Sequence, residues 1–398
     1  MATTYRNLWP QVVSWENLLA AYHRCRRRKR YRPEAVQFDF AWETHLRQLH
    51  RELTEGTYQP GTYHNFFIYE PKRRKISAAP FRDRIVHHAV VGVLEPLYER
   101  RFLHDSYACR KSKGTHRAID RAHTYLRRHQ FFLKTDIVRF FPNVDHQVLY
   151  ELLSRKIRDE QLLELIKKIL ASGNGVQSDE STPSFFPGDD LFSVLRPTGL
   201  PIGNLTSQFF ANVLLDPIDH FVKEELRIPG YTRYADDLVL FADHKAQLWE
   251  AHSQLADRLA GLRLRLHEKK TVLRPCSSSL KFLGFVLCRS GRRMQQSGIR
   301  RFNFRLRWLR HEFAAGRVDC ETIRHSLRAW MAHADNANTT GLRRDLWRRL
   351  RFSRGHHRDD SHVAQLGTGS NNHHTEPAVR KLQAALPNCK ILCDFPDK

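Results

Sequence analysis

Apolar positions along the chain fall into blocks whose spacing changes from helical to alternating and back. Over residues 36–60, Phe40, Trp42, Leu46, Leu49 and Leu53 share one helical face before Gly56 and Pro60 break the run. Trp15, Leu18, Leu19 and Tyr22 predict an earlier helix. Asn65–Ser77 predicts two short strands around a Pro71-Lys72-Arg73-Arg74-Lys75 turn. Ile85, Val86, Ala89, Val90, Val93, Leu94 and Leu97 mark a buried helix over 83–102. Phe131–Val138 is a strand signal, followed by a helix over 146–171 and a Gly-, Ser-, Asp- and Pro-rich loop over 172–198. A helix from Thr206 to Glu225, kinked near Pro217, leads to a hairpin at Tyr231–Phe241, a helix over 245–260 and a further hairpin over 271–288. Beyond 297 the pattern is helical, with Trp308, Leu309, Phe313, Leu327 and Trp330 as its buried face. This order predicts an antiparallel sheet with helices on one face, an α+β layout.

Composition narrows the function. With 41% hydrophobic and 11% aromatic residues, the 398-residue chain has ample core and is not disordered as a whole. Sixty-six Lys and Arg against 42 Asp and Glu give a net charge of +24, which points to a polyanionic partner. The basic knot Arg24–Arg30 is a solvated charge run or a phosphate contact. No apolar run approaches the ~18 residues of a membrane span, and Met1–Arg6 lead into no apolar leader, so a cytoplasmic protein without a membrane partner is expected. Seven scattered cysteines without a C-x-x-C pair fit reduced thiols. Cys389 and Cys393 with His373 and His374 make only an incomplete zinc pattern, and the polar tail from 353 is expected to be flexible.

The chemistry concentrates in carboxylates. Asp136 ends an apolar strand, and Asp236-Asp237 sit in the turn of an apolar hairpin. Adjacent acids there repel each other and resist desolvation unless a cation relieves them. A polar turn is the plain alternative. With Asp136 on a second strand, the three form a hard oxygen set of the kind Mg²⁺ prefers, and two such ions serve in-line phosphoryl transfer.

At Tyr234-Ala235-Asp236-Asp237 the chain resembles the reverse transcriptases. Phe132–Phe141 resembles their first metal-binding strand, and Asp105–Arg110 with His116–Ile119 resembles the fingers motif of bacterial members. Lys270-Thr271 resembles the motif after the catalytic hairpin, and Phe282-Leu283-Gly284-Phe285 resembles the primer grip. The resemblance implies a right-hand polymerase fold with fingers, an antiparallel-sheet palm and a helical thumb. Its spans are a basic helical N-terminal extension (1–60), fingers (61–130), palm (131–290, with the 172–198 loop insertion), thumb (291–352) and tail (353–398). It implies that Asp136, Asp236, Asp237 and the Ile137 backbone carbonyl hold two Mg²⁺, with Mn²⁺ as a substitute. Lys72, Arg74, Phe140, Phe141, Gly203, Gln208 and Lys270 would meet the nucleotide. The Phe141 ring would exclude a ribose 2′-hydroxyl, and Lys270 would protonate pyrophosphate. Phe141 as a core ring remains an alternative. Template RNA, primer or cDNA and dNTPs are the implied partners.

Gly199–Gln208 places Ile202 before Gly203 and Gln208 after Ser207, which resembles the enzymes of diversity-generating retroelements. That subgroup implies adenine-mutagenised cDNA copied from a template-repeat RNA, and a small basic oligomeric accessory variability protein. Ile202, with Arg74, would then bear on template and fidelity, since an Ile cannot hydrogen-bond a template base. An antiphage-defence, retron-like or intron-derived reverse transcriptase keeps the same chemistry. A catalytically idle RNA-binding scaffold is the alternative of another class.

Overall fold

The computed structural model describes residues 4–27, 29–69, 72–181, 184–353 and 390–391. Its first helices are α1 (Trp9–Val13), α2 (Trp15–Arg26), α3 (Pro33–Phe40) and α4 (Trp42–Thr54). The single helix expected over 36–60 is thus two, parted at Ala41, whose φ of −134° and ψ of 46° leave the helical region. The break turns Phe40 to solvent, 94% exposed, while Leu46, Leu49 and Leu53 keep the buried face. These helices pack on and around α5 (Phe81–Glu99) and share one apolar core with it.

β1 (His64–Ile68) and β2 (Arg74–Ala78) form the basic hairpin, with Ile68 opposite Arg74. Then come α6 (Thr115–Arg128), β3 (Phe131–Asp136) and the short α7 (Phe140–Asn143). The helix expected over 146–171 is α8 (His146–Ser154) and α9 (Glu160–Ser172). Asp159 divides them by capping a new start, its Oδ1 accepting from the Leu162 amide at 3.3 Å. Its Oδ2 accepts from the Leu8 and Trp9 amides at 2.9 Å each. One carboxylate therefore satisfies orphan donors at the starts of both α1 and α9.

α10 (Leu205–His220) runs through Pro217 and passes into a π turn at Phe221–Glu225. β4 (Gly230–Tyr234), β5 (Asp237–Ala242), α11 (Lys245–Ala260) and β6 (Val272–Pro275) follow. The sheet has the order β4-β5-β3-β6, antiparallel throughout. Leu238–Ala242 are buried without alternation, because both faces of this central strand are covered.

Two compact units divide at Pro275 and Cys276. The hairpin expected over 271–288 straddles that division. β6 pairs with β3 in the first unit, whereas β7 (Leu280–Phe282), β8 (Phe285–Cys288) and β9 (Gly291–Met294) make a separate sheet in the second. The expected palm span, 131–290, crosses the same boundary. The second unit continues with α12 (Gln296–Ala314), α13 (Cys320–Ala334) and α14 (Thr340–Arg349). Leu309, Phe313, Leu327 and Trp330 are buried as expected, but Trp308 is 40% exposed, with the Arg305 guanidinium 4.4 Å from its ring. Phe302 takes the inward place and stacks on Trp330 at 4.3 Å. The expected zinc pattern and flexible tail lie outside the described residues, apart from Lys390–Ile391, which pair in parallel with Arg351–Phe352. Among the described residues no helix is long and apolar enough to cross a membrane.

Candidate active site

β3 and β5 run antiparallel with Asp136 directly opposite Asp237. Tyr234 of β4 pairs with that same Asp237, so Ala235-Asp236 is a two-residue hairpin connection. Ala235 takes a left-handed φ of 53°, as such tight turns require. Acids from two distant segments thereby meet at one end of the sheet. Burial, then the charge of Asp136, pushes the Asp236 carboxyl up to about 7, and Asp237 adds to the shift. Concentrated negative charge of this kind is what a divalent cation relieves.

Two lysines answer the remaining acids. The Lys134 Nζ lies 3.2 Å from an Asp237 oxygen, and Lys270 pairs with Asp136. Among the described residues no group of three His, Cys, Asp or Glu side chains stands ready as a metal cage. The lysine pairs supply a physical reason, since each engages an acid that a metal would need. The donor set itself fits a divalent ion, being three hard carboxylates of which one, Asp236, is held back from ionising by burial and then by like charge. Behind them the backbone is locked. The Ile137 amide donates to the Asp236 carbonyl at 3.2 Å, and the His267 amide donates to the Asp136 carbonyl at 2.7 Å.

Beneath the turn lies a group that sequence reasoning missed. Arg233 is fully buried, and its five N–H donors have five acceptors. Nε and Nη2 grip the buried Asp219 at 2.6 Å each, Nη2 also meets Ser106 Oγ at 2.9 Å, and Nη1 reaches Asn212 at 3.3 Å and the Ala235 carbonyl at 3.2 Å. Tyr231 Oη donates to the same Asp219 at 2.7 Å. The available signal was a cation inside a strand otherwise apolar enough to be buried, which demands a partner. The Asp105–Arg110 motif supports the same strand from outside: the Arg233 amide donates to the Asp105 carbonyl at 2.9 Å, and the Tyr107 amide donates to the Arg233 carbonyl at 3.0 Å.

The other expected residues are distributed unevenly. Phe140 is 1% exposed and belongs to the core, so the nucleotide contact expected of it has no surface to use. Phe141, edge-on to Phe140 at 5.2 Å, is only partly buried. Lys72 and Arg74 are exposed on the basic hairpin, while Lys75 pairs with Asp179 of the 172–198 loop at 2.8 Å. Gly203 has φ +115°, and a Cβ there would lie 2.9 Å from Ile76 Cγ2, so its close approach in this structure is to β2. The Ser77 amide donates to the Ile202 carbonyl at 2.9 Å, and Asn204 clamps the same strand through the Ser77 carbonyl at 2.8 Å and the Ala79 amide at 3.1 Å. Ile202 and Gln208 are half-buried. In the second unit, Phe282 is buried, and Leu283 and Gly284 make the β7–β8 turn with φ of 46° and 87°.

Paired acids at the end of an antiparallel sheet, on a strand and a hairpin distant in sequence, are an arrangement for handling phosphoryl groups through metal ions. Residues 69–287, more than half the chain, match the reverse transcriptase (RNA-dependent DNA polymerase) family, and the chain belongs to it. Among curated proteins it is similar to Protein YkfC of Escherichia coli, 26% identical over 284 residues, covering 61% of this chain and 71% of that protein. It is 27% identical over 183 residues to the group II intron-encoded protein LtrA of Lactococcus lactis, covering 45% of this chain and 28% of LtrA. It is 26% identical over 143 residues to nuclear intron maturase 2 of Arabidopsis thaliana, covering 32% of this chain and 20% of the maturase. The match thus spans less than a third of either intron protein's own length.

Proposed function

We propose that this chain synthesises DNA on an RNA template. The observation that carries the reading is Asp136 directly opposite Asp237, with Asp236 in the turn between β4 and β5. The three carboxylates, with the Ile137 carbonyl, would hold two Mg²⁺, or Mn²⁺ in their place. Bound there, such ions supply activation of a primer 3′-hydroxyl and stabilisation of leaving pyrophosphate. The chain's own groups do the rest. Lys72 and Arg74 bind the triphosphate, Phe141 offers a ring where a 2′-hydroxyl would clash, and Lys270 carries a proton to the leaving group. In this reading the β1–β2 hairpin serves as fingers, the four-stranded sheet as palm, the 280–285 turn as primer grip and α12–α14 as thumb. Template RNA, primer and dNTPs are its partners, and the cytoplasm its place of work.

Two biological settings follow from different observations. The Gly199–Gln208 segment, with Ile202 where a hydrogen-bonding residue would hold the template base, supports a diversity-generating retroelement enzyme served by an accessory variability protein. The relatives named for introns and maturases support an intron-derived enzyme instead. The test is to supply the purified chain with a primed RNA, dNTPs and Mg²⁺ and to sequence the cDNA. Product that vanishes in the Asp236→Asn plus Asp237→Asn variant supports the polymerase, whereas RNA binding without product supports a scaffold. Errors concentrated at template adenines and reduced by Ile202→Gln favour the retroelement setting. Evenly spread errors favour the intron-derived one.

A further inference from the structure

The loop between α9 and α10 does more than join them. Together with residues 263–269 it walls a cavity of about 470 Å³, within the range of small-ligand sites. Three guanidiniums at this cavity are fixed in place. Arg263 pairs with Asp189, whose carboxylate is 1% exposed, and lies 3.5 Å from the buried Asp145. Arg196 reaches the same Asp189 at 3.5 Å. Arg265 donates to the Phe185 carbonyl at 2.5 Å and stands over the Phe186 ring at 5.1 Å. Lys269 adds a fourth cation to the lining, against one exposed acid, Glu268, with hydroxyls from Ser184, Ser193 and Thr198.

The buried Asp189 holds both Arg196 and Arg263, and Asp145 in the lining adds to Arg263, which fixes these donors in place. Arg265 is held by a neutral carbonyl and a ring, so its charge stays uncancelled. Preorganised guanidinium forks beside hydroxyls recognise phosphate oxygens. A cavity of this volume suits a compact polyanion better than a long strand. We propose that this cavity binds the diphosphate unit shared by nucleoside triphosphates and pyrophosphate, at a position apart from the catalytic carboxylates. It goes beyond the polymerase reading and stands without it.

The cavity is wired to the acids through the backbone. Val138 lines it, and its amide donates to the Arg265 carbonyl at 2.9 Å. His267 also lines it and donates to the Asp136 carbonyl at 2.7 Å, while Lys269 precedes the lysine paired with Asp136. Triphosphate entering, or pyrophosphate leaving, would meet this cavity next to the reacting centre.

Calorimetry on the full chain in EDTA, without primer or template, tests this, since chelation silences metal-dependent binding by the carboxylates. Pyrophosphate is titrated in one arm, a deoxynucleoside triphosphate in a second and a 20-nucleotide single-stranded RNA in a third. Both small anions should bind, and Arg265→Ala and Lys269→Ala should each weaken them about tenfold at unchanged melting temperature. Asp237→Asn should leave this binding intact whether or not the chain polymerises. Tighter triphosphate binding identifies the incoming nucleotide as the source, and tighter pyrophosphate binding identifies the product. Equal affinity in wild type and both variants, or binding of the RNA alone, overturns the assignment.

Discussion

The Arg233 Nη1 donates a hydrogen bond to the carbonyl of Ala235, two residues on, at 3.2 Å. This bond ties the left-handed residue of the acid-bearing β4–β5 turn to a guanidinium that is itself bolted to Asp219. Arg233→Met should cost about 3–5 kcal/mol in urea unfolding, because it leaves Asp219 buried without its partner. Arg233→Lys keeps the charge but loses the fork. Under conditions where that variant is fully folded, kcat should fall well below wild type with KM for dNTP little changed, which a merely structural role would not produce.

The pH response of the metal-free protein should run against the usual acid-unfolding trend at Asp236. Its folded pKa is pushed up to about 7, above its unfolded value. The protonated form is therefore favoured in the fold, and this contribution to stability is full below about pH 4 and lost as pH rises through 7. Thermal melts from pH 5.5 to 8 should show Asp236→Asn gaining on wild type at the alkaline end. Added Mg²⁺ should narrow that gap by stabilising the wild-type carboxylates.

Lys270 occupies an acid that a cation would share. Lys270→Met should tighten Mg²⁺ binding, read by calorimetry, because it removes a competing positive charge. The same variant should slow single-turnover extension by about 10²-fold if Lys270 also delivers a proton to pyrophosphate. Tighter metal binding with an unaltered rate would reduce Lys270 to a counter-ion.

Gly203→Ala places a side chain at φ +115° and a methyl 2.9 Å from Ile76 Cγ2. Strain of this kind costs about 1–3 kcal/mol. Adding Ile76→Ala should relieve the clash but not the backbone strain, so denaturant midpoints should recover only in part.

Sequence periodicity carried the strands that bear the acids because β3 and β5 are short and apolar, with Asp136 closing one and Asp237 opening the other. It failed where a single residue overrides the period. Ala41 turns Phe40 outward, and Asp159 starts a new helix inside what reads as one. Trp308 lies outside the stripe that Phe302, Leu306, Leu309 and Phe313 bury at helical spacing, so its bulk, not its position, suggested the core. Gly203 is expected to meet the nucleotide, but the neighbour its backbone approaches, Ile76, lies more than a hundred residues away in sequence. Arg233 is passed over for a different reason, despite its place in an apolar strand. In a chain with 66 Lys and Arg residues one more arginine reads as surface, and its acceptors come from three separate segments, the Ser106 loop, α10 and the Ala235 turn.

Lys134 and Lys270 give two of the three acids a resident cation of the protein's own. The acids are therefore compensated without an inorganic ion, by ammonium groups standing where the proposed ions would bring their charge. If the proposed ions bind here, assembly and activation are separate events, and ion supply would govern when the molecule works while leaving intact whether it exists.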